Sequence, residues 1–107
     1  MSAHNYRVTL EYLGGQHAAS DLHALLQFEV GNHDDLFNII QRVQTANLTD
    51  ADTAAALALG MKLFGEAMLK HRKDPLFEKL QPAYREFIVA FKERIAAGHE
   101  AQIQPLA

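Results

Sequence analysis

Cysteine is absent from the chain, which removes disulfides, thiolate metal sites and a cysteine nucleophile together. Nothing in the composition therefore calls for an oxidising compartment. Serine occurs only as Ser2 and Ser20, and neither stands in the G-x-S-x-G turn of a serine hydrolase. The glycine patterns that cradle phosphates, G-x-x-x-x-G-K and G-x-G-x-x-G, are missing as well. There is no basic excess: the formal net charge is −3, which argues against sequence-independent binding of nucleic acid. The longest nearly apolar run, Ala54 to Met61, is too short to cross a bilayer. The opening residues Met1 to Asn5 are polar and lack the apolar core of a signal peptide. A cytoplasmic protein without a membrane segment is the expectation.

What is present is globular. Hydrophobic residues make up 49% of 107 positions, and a chain of this length is expected to form a single domain, 1–107. From Tyr6 to Tyr12 apolar and polar residues alternate, and Leu25 to Val30 does the same, as half-buried strands do. Pairing Val8 with Phe28 and Leu10 with Leu26 sets Arg7 opposite Glu29 on the polar face. A slip of one residue would turn one apolar set outward, whereas slips of two preserve the faces. The connection, roughly 13–24, is long for a hairpin. Gly14 and Gly15 open it, and Ser20 with Asp21 suits a short helical turn.

After Gly31 the period changes to that of helices. Asn32 reads as an N-cap with Asp35 in the capping-box position, and Leu36, Ile39, Ile40 and Val43 mark one helical face. A second helix is expected from Thr49, with Asp52 answering it, to about Lys73. Its apolar face is Ala56, Leu57, Gly60, Met61, Phe64, Ala67 and Met68, and Lys62, Glu66 and Lys70 line the opposite side. Asp74-Pro75 stops it and caps a short turn, and a last helix follows from Gln81-Pro82 through Tyr84, Phe87, Ile88, Phe91 and Ile95. Gly98 reads as its stop, with 99–107 frayed. The expected fold is α+β, an N-terminal antiparallel β-hairpin followed by three main helices packed on one sheet face. Its predicted core includes Val8, Leu10, Phe28, Val30, Ile39, Ile40, Val43, Leu57, Met61, Phe64, Met68, Phe87, Ile88 and Phe91. Replacing Phe28 or Phe64 by Ala is then expected to cost about 3–5 kcal/mol.

The candidate sites are sparse. Six histidines are scattered without ligand spacing, and the densest cluster, His33-Asp34-Asp35, is already accounted for by helix capping. Glu66 between Lys62 and Lys70 reads as a solvated ion-paired strip rather than a general base. Lys70 to Lys73 is the one dense basic run, at a helix C-terminus where cations are favoured in any case. Gly60 and Gly65 interrupt a helix, and Gly60 reads as a packing contact because each glycine costs about 1 kcal/mol against Ala. Leu59 and Leu63 lie beside the charged strip, off the main apolar face, and are the candidate interface. No catalytic, cofactor-binding or metal-ligating residue is assigned. Tyr12, His33, His71 and Tyr84, with Tyr6, are the residues that would serve a small ligand between hairpin and helices.

Four segments carry a resemblance: Tyr6–Glu11 (YRVTLE), Phe28–Asp35 (FEVGNHDD), Gly60–Lys70 (GMKLFGEAMLK) and Lys73–Phe77 (KDPLF). Together they resemble a small bacterial family described only as a domain of unknown function, along almost the whole chain. The resemblance implies a small bacterial cytosolic protein and carries over no catalytic residue. Two functions stand ahead of a third, nucleic-acid-associated regulation through the last helix, which the acidic balance makes the weakest. One is a non-enzymatic interaction module that self-associates as a homodimer or binds another protein. The other is a small-molecule binder or enzyme with a pocket between hairpin and helices. A two-stranded sheet is marginal unless covered or extended, and this favours the first.

Overall fold

The computed structural model describes residues 4–15 and 25–103. The elements are β1 (His4–Leu10), β2 (Leu26–Asn32), α1 (Leu36–Thr45), α2 (Ala51–Lys70), α3 (Pro75–Glu78) and α4 (Gln81–Ile103). This is the α+β order of a hairpin followed by helices. The expected Ser20–Asp21 turn lies outside the described residues. The chain divides into two compact units, Met1–His33 and Asp34–Ala107.

In the first unit β1 and β2 pair antiparallel, with Val8 opposite Phe28, Leu10 opposite Leu26 and Arg7 opposite Glu29. Of the registers that keep the faces intact, this is the one written from the sequence. Both strands are displaced from their expected bounds by one or two residues, so that Gly31 and Asn32 belong to β2. The polar face is stitched across: Arg7 bonds the Glu29 carboxylate at 3.1 Å, and the Gln27 amide donates to the Thr9 hydroxyl at 3.3 Å. Such exposed pairs contribute at most about 1 kcal/mol each. Gly14, at φ +113°, turns the chain out of β1 through a region that side chains rarely adopt.

In the second unit α1, α2 and α3 each start on an aspartate. Asp35, not Asn32, caps α1 by accepting from the Phe37 and Asn38 N–H groups. Asn32 is instead a buried strand end, 3% exposed. Asp50, not Thr49, caps α2 through Thr53 N–H at 3.0 Å, and Asp74 caps α3 with Pro75 beside it. Helix α1 ends at Ala46, after which Asn47 takes φ +58°. α2 ends at Lys70, one turn short of Lys73. α4 does not stop at Gly98 but continues through His99 to Ile103.

Helix α1 packs against α2 and touches α4, and α3 touches α4. The core is built on Val43, Ala46, Ala54, Ala58 and Ile95, with Ile39, Ile40 and Phe91 packed against it. A Cβ at Gly98 would stand 2.6 Å from the Ala46 carbonyl oxygen, so Gly98 is where two backbones approach closely. One turn of the same contact is held by the His99 ring, whose Nε2 lies 2.9 Å from the Arg42 carbonyl oxygen.

The predicted core is therefore corrected at several positions. Leu10, Phe28, Leu57, Phe64 and Phe87 are exposed, and Val8, Val30, Ile39, Ile40, Met61, Ile88 and Phe91 are only half-buried. On α2 the buried stripe is Ala54, Ala58 and Met68, rotated by roughly a quarter turn from the bulky face read off the sequence. Small residues won that stripe because they let α1 and α2 come close, which leaves Leu57 and Phe64 facing out.

Candidate interaction surface

The expected interface residues Leu59 and Leu63 are half-buried, so the extra apolar area does not lie there. In the second unit it is spread over Phe37, Leu69, Leu76 and Val89 and over the outward side of α2 and α4. Leu57 is 36% exposed and Phe64 42%. Leu80 and Phe87, about one turn before and after Tyr84, are 39% and 46% exposed. Phe64 is held edge-on to Tyr84, ring centroids 5.7 Å apart, and edge-on to Phe77 at 6.4 Å. Phe77 in turn stacks on His71 at 6.1 Å. A row of four rings thus runs Tyr84, Phe64, Phe77, His71 across the second unit, fixing Phe64 in place while leaving its outer face open. Offset and edge-on ring pairs add about 0.5–1.5 kcal/mol each beyond simple burial.

Two of the four ligand candidates, Tyr84 and His71, are thus joined by this row, and both have structural work. The Tyr84 hydroxyl donates to the Met61 carbonyl oxygen at 2.7 Å, tying α4 to α2. Burial pushes its phenol pKa up, since ionisation would strand a charge there. Gly65 makes room for it: a Cβ there would come within 3.2 Å of the Tyr84 hydroxyl. Gly60, expected to be the packing glycine, has nothing within 4 Å of such a Cβ. His71 is exposed at the C-terminal end of α2. Tyr12 and His33 belong to the other unit; Tyr12 is half-buried just beyond β1 and His33 is exposed just beyond β2.

The remaining candidates are absorbed locally. Lys62 does not serve the strip with Glu66 alone; its ammonium meets the Asp34 carboxylate at 2.7 Å across the unit, with both groups partly exposed. Asp34 is thereby engaged with Lys62 and Asp35 with its cap, which occupies the two carboxylates of the histidine–aspartate cluster. Among the described residues, no three His, Asp or Glu side chains gather to hold a metal ion. A depression of about 500 Å³ is lined by Leu69, Lys70, His71, Arg72, Lys73 and Asp74. All six are consecutive, so the depression is the inside of one chain turn rather than a site to which separate elements bring side chains. No helix among the described residues is long and apolar enough to cross a membrane.

On the hairpin, the face opposite the stitched polar side is open in part, with Tyr6, Val8 and Val30 half-buried. Leu10 is 65% exposed, Leu26 52% and Phe28 44%. Alternation made this face legible. The outward face of α2 was not legible, because the sequence signal for burial is bulk and here it marks the reverse.

Fold and surface define a class: a small α+β protein, hairpin then helices, whose prominent features are open apolar faces. The chain belongs to the family of the domain of unknown function with solved structure DUF3861, whose model matches residues 4–93. It is similar to the crystal structure of a protein of unknown function from Pectobacterium atrosepticum, with a TM-score of 0.72 and 31% identity, covering 84% of this chain and 97% of that one. No curated protein matches the chain.

Proposed function

We propose that the protein is a bacterial, cytoplasmic interaction module that works as a pair of identical copies and carries no catalysis of its own. One observation carries this reading: the hairpin has a fully sorted apolar face, yet Leu10, Leu26 and Phe28 stand 65%, 52% and 44% exposed. A two-stranded sheet in that condition is marginal in water and gains by being covered. Open apolar faces of this kind mark association surfaces. A second copy is present at matching concentration and offers the same chemistry. The relative from Pectobacterium supports a bacterial setting, and the cysteine-free composition suits a reducing compartment.

Sedimentation at tens of micromolar tests it. The expected species has twice the 11.9 kDa chain mass. A sharp species at 11.9 kDa throughout that range would contradict it.

The depression at Leu69–Asp74 favours a second reading, a binder of small anions held by Lys70, Arg72 and Lys73. It is the weaker of the two, because the C-terminal end of α2 carries the dipole's negative pole. Thermal stabilisation by inorganic phosphate, lost in a Lys70→Ala, Arg72→Ala, Lys73→Ala triple variant, would favour it.

A further inference from the structure

Resting on self-association, we propose the surface through which it occurs: the outer edge of β1 pairs antiparallel with the same edge of a second copy, on a two-fold axis through Thr9. The product is a four-stranded sheet in the order β2, β1, β1, β2.

The edge is open along its length. Among the described residues the sheet consists of β1 and β2 alone, so each strand has an unpaired side. No residue of β1 is buried, and Glu11 just beyond it is exposed. β2 differs, because its end is closed off by half-buried Gly31 and buried Asn32. An unpaired edge presents a row of N–H and C=O groups ready for another strand.

The sequence of β1 selects a copy of itself, and selects the register. Within the hairpin Val8 faces Phe28, with Tyr6, Val8 and Leu10 on the apolar side and Arg7 and Thr9 on the polar side. An axis through a residue keeps these sides matched between copies, whereas an axis between two residues sets apolar against polar. An axis at Arg7 opposes two guanidinium groups. An axis at Val8 sets Arg7 against Thr9, and one at Leu10 sets it against Leu13. Of these, the axis at Thr9 alone gives Arg7 a carboxylate, Glu11 of the second copy, and symmetry makes that pair twice. Arg7 already bonds Glu29 at 3.1 Å, and its fork of N–H donors serves a carboxylate on either side. At the axis Thr9 meets Thr9. Its hydroxyl accepts from Gln27 at 3.3 Å, which leaves the O–H to donate across. β2 has no such self-match: an axis at Glu29 opposes two carboxylates, and one at Phe28 offers Gln27 against Glu29.

The same register joins the two apolar faces. Val8 falls opposite Leu10, and Tyr6 opposite Tyr12. One row across the sheet then runs through Leu26 and Leu10 of one copy into Val8 and Phe28 of the other, and the row beside it is its two-fold mate. A sheet needs three or more strands with an apolar face to be stable by itself, a condition that two copies meet and one does not. Both β1 edges are used, so the axis closes the assembly at two.

A chain without cysteine makes the test direct, since an introduced thiol is the only one present. Two Thr9 positions on the axis stand about 4.5–5.5 Å apart, within disulfide reach. Two Asn5 positions stand about 27 Å apart. Under mild oxidation of the full chain at tens of micromolar, Thr9→Cys is expected to form a covalent dimer, and Asn5→Cys and Phe28→Cys to stay uncrosslinked. Charge supplies a second readout. Glu11→Lys and Arg7→Glu each turn both cross-axis pairs into like charges and are expected to weaken the dimer about tenfold in sedimentation. Their equimolar mixture restores opposite charges at both pairs and is expected to associate more tightly than either variant alone.

If Thr9→Cys crosslinks no better than Asn5→Cys while wild type sediments as a dimer, the β1 edge is wrong and self-association stands. Preferential crosslinking of Phe28→Cys would move the junction to β2 and overturn the proposal in the same way. A mixture no tighter than its parts would overturn the register. If wild type is itself monomeric, the edge pairing and the self-association fail together.

Discussion

The hairpin and the helical unit treat their apolar residues in opposite ways. In the hairpin the bulky side chains are sorted to one face by alternation, with Leu10, Leu26 and Phe28 exposed and Tyr6, Val8 and Val30 half-buried. In the helical unit the bulky side chains are spread, and the centre goes to Ala46, Ala54 and Ala58, which are 4%, 0% and 1% exposed. The difference teaches that burial here follows how closely backbones approach as well as how greasy a side chain is, since Leu36, Val43, Met68 and Ile95 are buried beside these alanines. Where Gly98 meets Ala46 and Gly65 meets Tyr84, the smallest residues are the ones that pack.

The sharpest break in the comparison comes from a buried leucine at the start of α1 and an exposed phenylalanine on α2. Leu36 is 4% exposed, and Leu36→Ala is expected to cost about 2–5 kcal/mol in chemical denaturation. Phe64→Ala, at 42% exposure, is expected to cost far less in the dissociated chain, about 1 kcal/mol, despite its greater bulk. Equal costs would mean that Phe64 is core after all.

The glycines sharpen the same point. Gly98→Ala drives a Cβ into the Ala46 backbone and is expected to destabilise by about 1–3 kcal/mol. Gly60→Ala enters open space on a helix and is expected to stabilise by about 0.5–1 kcal/mol. Two melting curves decide it, and shifts of the same sign would overturn the close-approach reading of Gly98.

Tyr84 comes next. Tyr84→Phe removes the bond to the Met61 carbonyl and is expected to cost about 0.5–1.5 kcal/mol. Its pKa is raised by burial above the ordinary 10.0. The folded chain therefore keeps its proton while the unfolded chain loses it, so the stability held below pH 10 is lost as pH rises through the folded pKa. The variant is expected to show a flatter alkaline decline.

The smallest effect is at Asp50, where hydrogen bonds from Thr53, side chain first and then backbone, hold the carboxyl below the ordinary 3.8. Its contribution is present above that value and lost as pH falls through the lowered one. Acid titration followed by circular dichroism is expected to lose part of its slope below pH 3.8 in Asp50→Asn.

Much of the fold was readable because local rules act strongly in some places. Alternation sorted Val8 and Phe28 to one face while leaving slips of two residues open, and Pro75 behind Asp74 marked the stop of α2 and a short capped turn. The caps were misplaced by one to three residues where several capping residues stand in a row. Asn32, Asp34 and Asp35 are all competent, and the choice fell to tertiary partners: Asn32 to burial, Asp34 to Lys62, Asp35 to the helix. The phase of α2 was misread because periodicity weighs Leu57 and Phe64 above Ala54 and Ala58. The open surface was therefore sought at Leu59 and Leu63. A run of small residues at spacing four, Ala54 and Ala58, was the available signal.

Amide exchange in β2 across a range of protein concentration addresses the open hairpin face most directly. Protection of residues 26–32 that climbs as concentration rises is the expected result. Protection that is already complete at the lowest concentration and indifferent to dilution would contradict it.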